Sequence, residues 1–175
     1  METWKQFDAN EVSHSVAHHL MAIHEAGREY GGWARVSDIA RRLGITRGSV
    51  SINLRNIKAR GLASEDEHRQ VKLSAQGLKI VRAITAQRAA VKAFLRDAIQ
   101  VPEEQAEVDS CKIEHLISPA SAAKLFHLVR FLTSDDPAAR QALRRFRKLE
   151  EKCADAETCP ICKDSCWVRE LSLNG

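Results

Sequence analysis

The segment from Ala34 to Arg60 constrains the fold of this 175-residue chain more than any other, because it reads as two short helices joined by a tight turn. Gly44, between the two helices, tolerates the left-handed backbone conformation that such a turn needs. Thr46 offers a side-chain oxygen that can cap the second helix. Apolar residues recur at helical spacing on the inner face of that helix: Val50, Leu54 and Ile57. The pattern predicts a helix-turn-helix.

The outer face of the second predicted helix carries side chains suited to DNA. Arginines and short polar side chains contact phosphates and base edges, and an isoleucine can contact the methyl group of thymine. We therefore predict that this helix and its ends bind double-stranded DNA through the following residues: Thr46, Arg47, Ser49, Ser51, Ile52, Asn53, Arg55 and Arg60.

A β-hairpin is predicted to follow, with short strands near residues 61–64 and 70–73 around a polar tip. The head would then be a winged helix-turn-helix. Between Arg35 and Lys72 there are nine basic and four acidic residues, a net charge of +5 against +4 for the whole chain. The basic excess therefore lies in the predicted head, as is typical of a DNA-binding domain. The acidic tip, residues 65–67, is a contrary signal because it would repel phosphates.

Helices are also predicted for most of the remaining chain, so the fold class is mainly α. Apolar residues at helical spacing indicate a first helix from about Glu11 to Arg28 and a long helix from Ser74 to about Ile99. Further helices are expected to start near Pro102, Pro119 and Pro137, because proline favours the first position of a helix. We divide the chain into the winged head (1–73), a helical domain (74–150) and a cysteine-rich tail (151–175).

The composition excludes several classes of protein. The polar N-terminus and the lack of a long apolar run predict neither a signal peptide nor a membrane segment, so we expect a cytoplasmic protein. The sequence contains no glycine-rich phosphate loop and no nucleophile–base pattern, so we expect neither enzymatic activity nor a small-molecule substrate. In a reducing compartment, five cysteines are better interpreted as metal ligands or redox groups than as disulfides.

Four of these cysteines lie in the tail within fourteen residues: Cys153, Cys159, Cys162 and Cys166. Four thiolates suit tetrahedral Zn²⁺ and also an iron–sulfur cluster, and the spacing leaves both open. A redox pair without metal is the third interpretation.

The fifth cysteine belongs to the run Cys111-Lys112-Ile113-Glu114-His115. Positions i, i+3 and i+4 share one face of a helix, so a thiol, a carboxylate and an imidazole would project together. All three are metal-ligand types. The alternative interpretation is a solvated Glu–His pair beside a small buried cysteine.

The chain resembles the diphtheria-toxin-repressor family of metal-dependent repressors, which includes the manganese transport regulators. Three pieces carry the resemblance: Ala34-Arg35-Val36-Ser37-Asp38-Ile39-Ala40 through Gly61-Leu62, Leu73-Ser74-Ala75-Gln76-Gly77, and Cys111-x2-Glu114-His115. It implies a homodimer that binds palindromic operators when a divalent metal is bound, and that represses metal-uptake genes. It also implies a regulatory metal site of His18, Cys111, Glu114 and His115, with His14 as a further candidate ligand.

Three departures from the family pattern matter. Arg88 and Lys92 occupy the positions of the family's ancillary metal ligands, so a second site should be absent and Glu107 is predicted to pair with one of these cations. Ile52 replaces a polar base-reading residue of some members. The chain is too short for the family's C-terminal SH3-like domain.

The thiolate at Cys111 shifts the expected metal away from Mn²⁺, toward Fe²⁺ first and Zn²⁺ second. The resulting function is a metal-dependent, iron-responsive transcriptional repressor of metal homeostasis genes. One alternative is an iron–sulfur or thiol redox-sensing regulator that uses the tail cysteines. The other is a winged-helix adaptor that binds protein and carries a zinc knuckle.

Overall fold

The computed structural model describes residues 12–114 and 116–148. The described chain is mainly helical with one small sheet, as the sequence predicts. It forms two compact units, the first ending at Arg130 and the second beginning at Phe131. The predicted division at residues 73 and 150 stays a prediction.

Seven helices and three strands make up the described residues. Their bounds in chain order are α1 His14–Gly27, β1 Trp33–Arg35, α2 Val36–Leu43, α3 Arg47–Ala59, β2 Ala63–Glu65, β3 Gln70–Leu73, α4 Ala75–Ala93, α5 Glu103–Ile113, α6 Pro119–Leu132 and α7 Pro137–Phe146. A single π-helical turn, Phe94–Ala98, extends α4. Among these described helices, none is both long enough and apolar enough to cross a bilayer.

Helix α1 is the central element of the first unit, because it contacts α2, α3, α4, β1 and β3. Its buried face carries Leu20 and Ile23, both fully buried. The inner faces of α2, α3 and β3 supply further large, fully buried side chains of this core: Ile39, Val50, Ile57 and Val71. The predicted inner face of α3 is therefore confirmed, and α1 links this core to α4.

The predicted glycine turn and the predicted cap at Thr46 are confirmed. Gly44 ends α2 with a φ of 66°, in the left-handed region where glycine has no steric penalty. The Thr46 hydroxyl oxygen then accepts a hydrogen bond of 3.1 Å from the Ser49 amide and caps α3. Ser74 caps α4 in the same way, at 3.1 Å from the Gly77 amide. In the second unit, the Asp136 carboxylate caps α7 through the Ala138 amide at 2.7 Å.

The sheet differs from the predicted two-stranded hairpin, because a third strand, β1, pairs with β3. The order is β1-β3-β2, and Ala34 lies opposite Val71 in the register. Both of these residues are buried. Three residues are too few to show an alternating pattern in the sequence, so this strand is defined only by its pairing with a distant segment.

Pro102 differs from the prediction by one position. It lies before α5 as its N-cap residue, with an extended ψ of 142°, and the helix begins at Glu103. The residues of the cysteine tail, with Cys153, Cys159, Cys162 and Cys166, lie outside the described residues, and so does His115.

Gly77 allows α4 to approach the backbone that immediately precedes β2. A Cβ atom at Gly77 would lie 2.1 Å from the Leu62 carbonyl oxygen. We expect Gly77→Ala to lower the free energy of unfolding by about 1–3 kcal/mol, because the backbone of Leu62 must move. Urea denaturation of the full chain measures this change.

Gly48→Ala is the matched control, because its Cβ would meet only the Thr46 hydroxyl at 3.7 Å. Alanine is favoured over glycine in a helix by roughly 0.5–1 kcal/mol, so this variant should be as stable as the parent chain or slightly more so. Equal urea midpoints for the two variants would contradict the close approach at Gly77.

Candidate functional site

Helices α1 and α5 bring together three of the four predicted regulatory ligands. The Nε2 atom of His18 lies 3.6 Å from the Sγ atom of Cys111. A ligand atom of Glu114 completes the group, and the three ligand atoms all lie within 4.8 Å of one another. A nitrogen, a sulfur and an oxygen donor therefore converge from residues that are up to 96 positions apart in the sequence (114 − 18).

The local structure explains how Cys111 and Glu114 share a face. Cys111 lies in the last turn of α5, and Glu114 is its C-cap residue with helical dihedral angles. Its amide still donates a helical hydrogen bond of 2.9 Å to the Ser110 carbonyl. The segment that follows α5 is anchored to α4, because the side-chain amide of Gln87 donates a hydrogen bond of 2.9 Å to the Ile117 carbonyl. The i, i+3 spacing read from the sequence is therefore realised.

The carboxylate of Glu114 is the most informative feature of the group. It is fully buried, and neither of its oxygens has a hydrogen-bond partner within the described residues. A buried carboxylate without hydrogen bonds is costly unless a cation compensates it. Burial raises the pKa of Glu114, an effect that Arg88 partly offsets. Two carboxylate oxygens without hydrogen bonds, beside an imidazole and a thiol, form a set of donor atoms that can bind a divalent metal.

Cys111 is half-buried beside this carboxylate. Burial raises the pKa of its thiol, and the charge of Glu114 raises it further. A metal bound here would hold the sulfur as thiolate, because metal coordination replaces the proton. His14 lies against His18 with ring centroids 4.3 Å apart, so it is adjacent to the group.

The predicted pairing of Glu107 with Arg88 or Lys92 is confirmed, and it involves both cations. Arg88 forms a salt bridge with Glu107, and the Nζ atom of Lys92 lies 2.8 Å from the same carboxylate. Lys92 also pairs with Glu103 at 2.6 Å, and Arg96 pairs with Glu103 at 3.3 Å. Hydrogen bonds from Lys92 keep the pKa values of both glutamates below their usual range. We call this row of charges between α4 and α5 the charge ladder.

The charge ladder also contacts one of the candidate metal ligands, Glu114. The sequence analysis did not predict this contact. The Nε atom of Arg88 lies 3.7 Å from Oε2 of Glu114. The spacing of Arg88, Lys92 and Arg96, four residues apart along one helical face, was the available signal for the ladder. Nothing in that spacing indicated contact with Glu114, because the contact depends on how α4 packs against α5.

The predicted DNA-binding residues of α3 divide into two groups. Those exposed to solvent are Thr46, Arg47, Ser51, Ile52, Arg55 and Arg60. Ser49 and Asn53 are only half-exposed, rather than on the outer face as predicted, and both line a cavity together with Ser15 of α1. The Ser15 hydroxyl of α1 donates a hydrogen bond of 3.3 Å to Oδ1 of Asn53. Ser49 and Asn53 are four residues apart and therefore share one face of α3, and this face lies beside α1.

The acidic hairpin tip is partly occupied by contacts within the protein. Glu65 forms a salt bridge with Lys58 of α3. One carboxylate oxygen of Asp66 accepts hydrogen bonds from the amides of His68 and Gln70, at 3.0 and 2.7 Å. Glu67 lies 3.5 Å from the ring of His68. Two of the three acidic side chains therefore stabilise the hairpin or its contact with α3. The acidic tip is consequently weaker evidence against DNA binding than the sequence alone indicates.

Sequence comparison places these features among known regulators. Residues 74–144 match the family described as iron dependent repressor, metal binding and dimerisation domain. The HTH-type transcriptional regulator MntR of Bacillus subtilis (strain 168) is 31% identical over 123 residues, which cover 70% of this chain and 85% of the relative. MntR of Geobacillus thermodenitrificans (strain NG80-2) is 30% identical over 124 residues, covering 71% and 86%.

Solved structures share the fold over a smaller part of their length. The IdeR protein of T. acidophilum superposes with a TM-score of 0.54 at 22% identity, covering 63% of this chain and 52% of that one. The metal-dependent transcriptional regulator MtsR superposes with a TM-score of 0.58 at 17% identity, covering 65% and 52%. This chain therefore spans about half the length of these solved chains. From its similarity to the MntR regulators over most of their length, the chain belongs to the diphtheria-toxin-repressor and manganese-transport-regulator family of metal-dependent transcriptional repressors, which are not enzymes.

Proposed function

We propose that this protein is a repressor that binds a palindromic operator as a homodimer when a divalent metal is bound by His18, Cys111, Glu114 and His115. The observation that carries the proposal is the convergence of one ligand atom each from His18, Cys111 and Glu114, with both oxygens of Glu114 lacking a hydrogen-bond partner within the described residues. His115, adjacent to Glu114, is the fourth proposed ligand. In the charge ladder, Arg88 and Lys92 occupy the carboxylates of Glu103 and Glu107, so we propose no second metal there and a single metal per chain at the regulatory site.

The arrangement of α1 suggests how the site acts on DNA binding. When bound, the metal supplies a coordination link between α1 and α5. His18 is the proposed ligand from α1. One turn earlier, the Ser15 hydroxyl donates a hydrogen bond to Asn53 of α3. Because α1 also packs against α2 and α3, fixing α1 restricts the orientation of α3. A ligand that binds one arrangement better shifts the population toward it.

The donor set supports Fe²⁺ as the first choice. A thiolate with imidazole and carboxylate ligands suits iron and zinc better than manganese, which prefers oxygen donors. Zn²⁺ and Mn²⁺ are the alternatives, and the names of the MntR relatives point to the latter. The four-cysteine tail is proposed to hold Zn²⁺ or an iron–sulfur cluster.

Surface features of the described residues support DNA binding and dimerisation. Two arginines of α3, Arg47 and Arg55, are exposed, and so is Ile52 on the same helix. Large apolar side chains are exposed on α5, α6 and the segment between them: Val108, Ile113, Leu116, Phe126 and Leu128. Exposed apolar surface of this kind is typical of a protein–protein interface, and a second copy of the chain would cover it.

The other two interpretations have less support. The acidic hairpin tip favoured a protein-binding adaptor, but Glu65 and Asp66 make contacts within the hairpin and α3. Redox sensing by the tail depends on residues outside the described part of the chain, so it stays an alternative. Family membership favours the repressor over both.

Metal-dependent DNA binding tests the regulatory site. We expect Fe²⁺, added anaerobically to chelator-washed protein, to increase affinity for a duplex selected by the wild-type protein by at least about tenfold, which is a typical allosteric coupling. Cys111→Ala should abolish the increase, because it removes a ligand. Fluorescence anisotropy measures both affinities.

Lys112→Ala is the matched control for this variant, because Lys112 is exposed on the neighbouring position and is not a proposed ligand. It should respond to metal like the parent. Equal DNA affinity of the wild-type protein with and without metal would refute the proposal.

Contacts between α3 and phosphates are tested by salt dependence. We expect Arg47→Ala and Arg55→Ala each to weaken DNA binding and to reduce the slope of log affinity against log salt by about one. Arg82→Ala, on the exposed face of α4, should change neither. A slope unchanged in both α3 variants would place the DNA elsewhere.

A further inference from the structure

We infer that Arg88 is a built-in cation of the regulatory site, which balances the charge of Glu114 without metal and lowers the site's affinity for metal. Arg88 is thus an affinity-determining residue rather than a ligand. The inference rests on the proposed function, since it assumes that Glu114 binds a divalent metal.

The contact between Arg88 and Glu114 balances charge but leaves the ligand atoms available. The Nε atom of Arg88 lies 3.7 Å from Oε2 of Glu114, which is beyond hydrogen-bond distance. Both oxygens of Glu114 remain without a hydrogen-bond partner among the described residues. The guanidinium therefore acts on the carboxylate through its charge, and the lone pairs stay open to another cation.

Arg88 is held in this position by the charge ladder. Its Nη2 atom pairs with Glu107, and Glu107 also pairs with Lys92. Lys92 pairs in turn with Glu103. The Arg88 side chain is only 26% exposed, so it has little freedom to swing into solvent. Its positive charge consequently remains near Glu114 when a metal arrives.

Removal of the Arg88 charge should have opposite effects on the two states of the protein. Without metal, Glu114 would lose its compensating cation, and an uncompensated buried charge destabilises the fold. With metal bound to Glu114, repulsion between two neighbouring cations in a partly buried setting would disappear. An arginine with a purely structural role would, when removed, weaken the fold and metal binding together. The sign of the change in metal affinity therefore separates the two roles.

The experiment compares Arg88→Gln with Lys92→Gln in the full chain. Both variants lose one positive charge from the ladder, but Lys92 contacts Glu103 and Glu107 and has no contact of this kind with Glu114. Mn²⁺ is the probe, because the amount bound can be counted by its EPR signal and four thiolates of the tail suit softer metals. Thermal unfolding is followed with and without Mn²⁺.

We expect Arg88→Gln to bind Mn²⁺ at least about tenfold more tightly than the wild-type protein, as removing a nearby like charge predicts. Its metal-free melting temperature should fall while the increase on adding Mn²⁺ grows. Lys92→Gln should stay within about threefold of the wild-type affinity, because its charge lies farther from the site.

The outcomes distinguish this inference from the proposed function. Saturable binding by the wild-type protein with unchanged or weaker binding by Arg88→Gln would overturn the role of Arg88 alone. Equal tightening in both variants would also overturn it, because the effect would then belong to the net charge. If neither wild type nor Arg88→Gln binds Mn²⁺ saturably, the comparison is repeated with Fe²⁺ under anaerobic conditions. Absence of saturable Fe²⁺ binding as well would refute the metal site itself, and the inference would fall with it.

Discussion

The burial of the Glu114 carboxylate is the constraint on which the rest of the site depends. A charged group without hydrogen bonds inside a protein needs a cation nearby. Here the nearby groups are the guanidinium of Arg88, the imidazole of His18 and the thiol of Cys111. Side chains of α1, α4 and α5 therefore meet at one carboxylate. The charge of Glu114 and of the groups around it affects how the three helices pack together.

Helix α1 connects the candidate metal site to α3, the helix proposed to bind DNA. One flank of α1 carries His18, and Ser15 reaches Asn53 of α3 from the preceding turn. His19, next to His18, is buried and hydrogen-bonded through Nδ1 to the Ser15 carbonyl at 2.7 Å. A shift of α1 would therefore change its contacts with α3, including the hydrogen bond between Ser15 and Asn53. The proposed metal site and the proposed DNA-binding helix are therefore linked by a short series of contacts through α1.

The charge ladder gives α4 and α5 a permanent connection. Its basic side chains on α4 and acidic side chains on α5 pair across the helix interface, where partly exposed ion pairs are individually weak. Their importance lies in position rather than in total energy. They hold the positive charge of Arg88 at the edge of the candidate metal centre.

Local sequence patterns determine much of this protein. The glycine turn and the Thr46 cap define α2 and α3, and the i, i+3 spacing places Cys111 beside Glu114, because each depends on neighbouring residues only. The match of His18 to a ligand position came from resemblance, since spacing cannot relate residues of separate helices. Tertiary packing alone decided the third strand, the turning of Ser49 and Asn53 toward α1, and the contact of Arg88 with Glu114. These features arise where distant segments meet, and their energies depend on burial that no local pattern encodes.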